Sequence, residues 1–72
     1  MPEDVPIRGE TIRLGQLLKL AGLVEAGGEL KAFLDAEQVL VNGKADNRRG
    51  RQLHPGDVVA VAGTTLHVTA GD

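Results

Sequence analysis

The chain contains no cysteine, tryptophan or tyrosine, and Phe33 is its one aromatic residue. Without cysteine there can be neither a disulfide framework nor a thiolate metal site. His54 and His67 stand thirteen positions apart with no ligand cluster of matching spacing, so they read as turn or strand residues. No metal and no cofactor is expected. No apolar run approaches the ~18 residues of a membrane span. The opening Met1-Pro2-Glu3-Asp4 is acidic and leads into no apolar stretch, unlike a secretory signal. Absence of cysteine is in keeping with a cytosolic, bacterial-type protein. No nucleophile–base pair, no Gly-Lys-Ser/Thr phosphate loop and no paired carboxylates can be found. The expectation is therefore no enzyme and no small-molecule substrate.

What the chain does have is an uneven distribution of charge. Its 72 residues carry a formal net charge of −2. The eight residues from Lys44 to Arg51 hold four basic groups and one acid, a net of +3, while the other 64 hold four basic and nine acidic groups, a net of −5. An acidic protein that gathers its cations into one glycine-punctuated loop presents them to something anionic. Guanidinium suits phosphate because it stays charged and offers donors in a planar fork. The overall charge argues against indiscriminate coating of nucleic acid. A lone phenylalanine cannot supply the stacking platform of a single-strand binder. Any nucleic acid bound here is expected to be read through phosphates and shape, as folded RNA is.

Length implies one small domain, residues 1–72, with a modest core. Residues 1–6 are polar and Pro-broken, and are expected to be loose. Residues 7–12 suggest a short extended segment anchored by Ile7 and Ile12. Leu14, Leu17, Leu18 and Ala21 fall at i, i+3, i+4 and i+7, predicting a helix that Gly22 stops. Gly27-Gly28 opens a second helix to about Glu37, with Leu30, Phe33 and Leu34 as its apolar stripe and Glu29 in its first turn. The period then changes to two. Val39-Leu40-Val41 predicts a strand, Asn42-Gly43 a hairpin turn, and Lys44-Ala45-Asp46 the returning strand. After the basic loop, His54-Pro55-Gly56-Asp57 predicts a type II turn and Val58 to Ala62 a strand. Gly63-Thr64 turns the chain into a last strand at Leu66-His67-Val68. Two N-terminal helices followed by a small, mostly antiparallel sheet make an α+β fold.

Taken together, Ile12 to Leu23, the helix start at Gly27-Gly28, Val39-Leu40-Val41-Asn42-Gly43-Lys44 and Leu53-His54-Pro55-Gly56-Asp57-Val58-Val59 resemble the S4 RNA-binding domain over about residues 11–62. Lys-Leu-Ala at 19–21, Gly-Gly at 27–28 and Asp-Asn-Arg-Arg-Gly-Arg at 46–51 are similar to the small free-standing bacterial members of that family, the YaaA and YbcJ type. The resemblance implies an αL-type motif that binds structured RNA, with ribosomal RNA or a ribosomal subunit as partner, in the cytoplasm, during assembly or on the ribosome. Two departures stand out. Many members carry Asp where this chain has Gly15, and many start the second helix with Ser-Arg where Ala26, Gly27 and Gly28 stand here.

The candidate RNA-binding residues are Arg13, Gly27, Gly28, Lys31, Lys44, Asn47, Arg48, Arg49 and Arg51. Arg48, Arg49 and Arg51 are the sharpest, because three arginines cluster with little counter-charge. Gly27-Gly28 either admits a phosphate to the backbone donors of a helix start or is a flexible turn. Lys31 either approaches such a phosphate or pairs with Asp35 at i+4. Arg13 matches the family's arginine. Lys19, six residues on, lies ~240° around an ideal helix from it, so it is read as solvated. Asn42-Gly43 is structural, since both residues accept positive φ. Two rival readings remain. In one, the arginine loop docks an acidic protein partner, making the chain an adaptor. In the other, the strand, turn and Pro-Gly-Asp pattern, which also resembles sulfur-carrier proteins of the β-grasp type, marks a carrier; against it, the chain ends Thr69-Ala70-Gly71-Asp72 rather than Gly-Gly.

Overall fold

A computed structural model describes residues 3–25 and 27–71. The element order is β1 (Glu3–Ile7), β2 (Ile12–Arg13), α1 (Leu14–Leu20), α2 (Gly27–Ala36), β3 (Val39–Val41), β4 (Lys44–Ala45), β5 (Gln52–Leu53), β6 (Val58–Val61) and β7 (Thr64–Ala70). Five strands form one sheet in the order β1-β7-β6-β3-β4, and β2 pairs with β5 apart from it. Every pairing is antiparallel except β1 with β7. The α+β reading holds, but the helices are not N-terminal: strands β1 and β2 come first.

The segment expected to be loose is an edge strand from Glu3 onward; Met1 and Pro2 lie outside the described residues. Val5 and Ile7 are both buried and flank Pro6, a period-two pair that the proline had masked. Proline lacks an N–H, and an edge strand is where a sheet tolerates that. The extended segment expected over residues 7–12 is instead split. Ile7 ends β1, residues 8–10 bend, and Ile12 begins β2. At the far end Gly71 donates its N–H to the Ile7 carbonyl at 2.9 Å. A Cβ at Gly71 would stand 2.8 Å from that same oxygen, so the closing contact needs glycine.

Helix α1 ends as its sequence predicts. Gly22 has φ +81°, its N–H donates to the Lys19 carbonyl at 3.0 Å, and the Leu23 N–H donates to the Leu18 carbonyl at 3.0 Å. These two bonds satisfy carbonyls that a helix end leaves orphaned. Leu14, Leu17 and Leu18 of α1 and Leu30 and Leu34 of α2 are buried against Val39, Val41, Val59, Val61, Leu66 and Val68 of the sheet. The alternating burial of β3, β6 and β7 follows from the period of two, with one face inward.

Both tight hairpins have positive φ at their two central residues. Asn42 and Gly43 stand at 52° and 85°, as the Asn-Gly pair predicts. The second turn is Ala62-Gly63, at 51° and 75°, rather than Gly63-Thr64, because Val61 pairs directly with Thr64. Asn42 also joins two turns. Its side chain donates to the Asp57 carboxylate at 3.1 Å and accepts from the Val58 N–H at 2.9 Å. The His54 N–H donates to the same carboxylate at 2.7 Å. Burial pushes the Asp57 carboxyl up, but the bonds from His54 and Asn42 outweigh it and hold it below its ordinary value. His54 thus lies in a turn and His67 in β7.

Candidate nucleic-acid interface

The basic loop is tied down at both ends and in the middle. Asp46 donates its N–H to the Val39 carbonyl at 2.9 Å, anchoring the loop to β3. The Arg51 N–H donates to the Arg48 carbonyl at 3.1 Å, a turn with Arg49 and Gly50 at its corners. The pairing of β5 with β2 then sets Gln52 opposite Arg13. A helix leaves its first N–H groups without intrahelical partners, and Arg13, the residue before α1, offers no side-chain cap. The loop supplies the partners: the Leu14 N–H donates to the Arg51 carbonyl at 2.8 Å and the Gly15 N–H to the Arg49 carbonyl at 3.0 Å. A Cβ at Gly15 would stand 2.7 Å from Leu30 Cδ2 but at an ordinary contact distance of 3.5 Å from the Arg49 carbonyl, so glycine makes room for Leu30 rather than for the loop.

This anchoring sends Arg49 and Arg48 to two different hollows. One, of about 290 Å³, has Arg13, Gln16, Lys19 and Arg49 around a floor of Leu30, Gly15 and Gly50. It carries three cations and no acid. The other, of about 780 Å³, lies beyond the end of α2 and brings Asn47 and Arg48 together with Asp35, Glu37 and Asp46. Although larger, it suits an anion less, because three carboxylates face one guanidinium. The helical angle between Arg13 and Lys19 predicts a solvated Lys19. That geometry does not apply: Arg13 has φ −82° and ψ 149°, so it is extended and outside the helix, and its side chain reaches the hollow that Lys19 lines. Gln16, one turn before Lys19, was missed as well; its i, i+3 spacing to Lys19 was the available signal.

The expectation of little counter-charge in the loop needs correction. The Asp46 carboxylate accepts from Arg48 Nε at 3.0 Å, Arg48 Nη2 at 2.9 Å and Arg51 Nη1 at 3.3 Å. Hydrogen bonds from the Arg48 guanidinium and backbone N–H hold the Asp46 carboxyl well below the usual carboxylate range, and the Arg48 guanidinium is raised in turn. Arg13, Lys19 and Arg49 make no ion pair among the described residues. Gly27 and Gly28 begin α2, and Lys31 is exposed one turn in. Lys44 is exposed in β4 opposite Val41. Gly28, Lys31 and Lys44 are not among the described residues that line either hollow. Ala26, part of the second departure from the family pattern, lies outside the described residues.

The sequence model of the S4 domain family matches residues 5–69, from β1 to β7. The chain belongs to the S4 domain family. The match is wider than the 11–62 span of the recognisable motifs because it takes in most of the first and last strands, β1 and β7. Over 63 residues the chain is 51% identical to the probable ribosome maturation protein RlbA of Bacillus subtilis (strain 168), covering 88% of this chain and 89% of that protein.

Two expectations follow from the geometry. Gly15→Ala brings about 1 kcal/mol of helix propensity, but pushing against the buried Leu30 side chain costs roughly 1–3 kcal/mol. Urea denaturation is expected to show net destabilisation of about 1 kcal/mol. Alongside Asp57, Asp46 contributes to the pH dependence of stability. Because its folded-state pKa lies below the ordinary 3.8, its contribution is present above pH ~4 and is lost as pH falls. The stability difference between the natural chain and Asp46→Asn is therefore largest above pH ~4 and shrinks toward pH ~2 in an acid titration of the melting temperature.

Proposed function

We propose that this S4 domain is a single, non-enzymatic module that binds structured RNA. Its partner is ribosomal RNA within a ribosomal subunit, and its role is in cytoplasmic ribosome maturation. The observation that carries the reading is the hollow between α1 and the loop, where Arg13, Lys19 and Arg49 converge with no acid between them. Three cations around a small hollow match the phosphates of a folded strand, each neutralised phosphate releasing counterions. Gln16 and the Gly50 backbone add neutral hydrogen-bonding groups beside them. Arg48 and Arg51 extend the basic surface along the loop, and Asn47 and Lys44 lie at its far end. Gly27, Gly28 and Lys31 form an outlying contact at the start of α2. Kinship to a protein named for ribosome maturation supports the ribosomal setting.

The test is fluorescence anisotropy with a folded ribosomal RNA fragment across a salt series. The natural chain is expected to lose affinity with a log–log slope of about −2 to −4. Changing Arg13, Lys19 and Arg49 together to Gln is expected to weaken binding by about 100-fold or more, at roughly 1 kcal/mol or more per charge-assisted contact. Equal binding by the two chains would remove the hollow as the RNA site, and retention of a protein partner after nuclease treatment would favour an adaptor.

A further inference from the structure

We propose that Asp46 is a specificity-determining residue that makes the loop prefer folded over single-stranded RNA, an inference that rests on the RNA-binding reading above. Its carboxylate receives four donors: the Arg48 N–H at 3.1 Å, Arg48 Nε at 3.0 Å, Arg48 Nη2 at 2.9 Å and Arg51 Nη1 at 3.3 Å. Its own N–H is fixed to Val39 of the sheet, and its side chain is only 11% exposed. These donors steady the loop, which is the contribution to stability that Asp46 loses at low pH. They have a clear effect on the arginines. Asp46 takes the Nε and Nη2 edge of Arg48 in a bidentate fork and leaves the Nη1 edge outward, on a side chain that is 71% exposed. Arg51 is held through one nitrogen.

Two consequences pull in opposite directions. One unit of positive charge in the loop is cancelled, which weakens attraction for any polyanion. The two guanidiniums are also held in place before a ligand arrives, so less side-chain freedom is lost on binding. A flexible single strand adapts to cations wherever they lie, so it feels only the lost charge. A folded RNA presents phosphates at fixed positions, so it recovers the loss through the fixed arginines. The difference between these responses is selectivity for structure.

The experiment compares Asp46→Asn with the natural chain on two probes, a folded ribosomal RNA fragment and poly(U), by anisotropy over a salt series. Asp46→Asn is expected to bind poly(U) about 3- to 10-fold more tightly, with a salt slope steeper by about 0.7, the share of one single-strand phosphate. Affinity for the folded fragment is expected to stay within about twofold, so the folded-to-single-strand ratio falls at least about threefold. Asp46→Ser keeps an acceptor for the Arg48 N–H and guards against a folding defect; it is expected to behave alike, with thermal melts confirming both variants folded. Glu37→Gln removes an acid from the same hollow, where no ion pair to an arginine is formed. It is expected to strengthen both probes by the same factor, separating charge from positioning. If Asp46→Asn changes both RNAs equally or neither, the inference is overturned while RNA binding stands. If the natural chain binds neither RNA, the functional reading falls, and this inference with it.

Discussion

Two backbone hydrogen bonds, from the Leu14 and Gly15 N–H groups to the Arg51 and Arg49 carbonyls, hold the basic loop against the start of α1. Everything distinctive about the candidate interface depends on them. They satisfy helix donors that no side chain caps, so breaking them would leave orphaned N–H groups at a helix start. They also fix where Arg49 emerges, next to Arg13 and Lys19. Gly15, beside them, makes room for Leu30, whose Cδ2 a Cβ there would meet at 2.7 Å, and it adds no charge to the hollow.

The electrostatics follow from the same arrangement. A chain of net charge −2 cannot attract RNA through its overall field. It concentrates cations locally and keeps acids on other surfaces. Asp35 and Glu37 line the hollow beyond α2, and Asp57 is consumed by Asn42 and the His54 N–H. Asp46 is the exception, an acid inside the basic loop whose donors are the arginines themselves. Holding two arginines on one carboxylate restricts their side chains before any ligand arrives.

Much of this was legible in the sequence. Leucines at helical spacing gave α1 and α2 nearly to their ends, and Asn42-Gly43 and Pro55-Gly56 gave two turns with their backbone conformations. Those turns are also general hairpin chemistry, which is why the same residues resemble the sulfur carriers. Strand β1 was not legible, because its partner β7 lies some sixty residues away and parallel pairing leaves no local signal. β2 and β5 are two residues each, too short for any periodicity. At the interface, the sequence pointed to the arginine loop and to Arg13. It could not show that Asp46 binds two of the arginines, or that Arg13 lies outside the helix and converges with Lys19, since both depend on where the loop docks.

The most direct test of the account is an amide ¹H–¹⁵N NMR titration of the intact chain with a folded ribosomal RNA fragment. The account predicts that the largest shift changes fall together on residues 13–19 and 47–51, the two segments joined by the α1 start. Changes centred instead on the outward-facing residues of the sheet, Leu40, Val58, Ala60, Thr65 and His67, would contradict it.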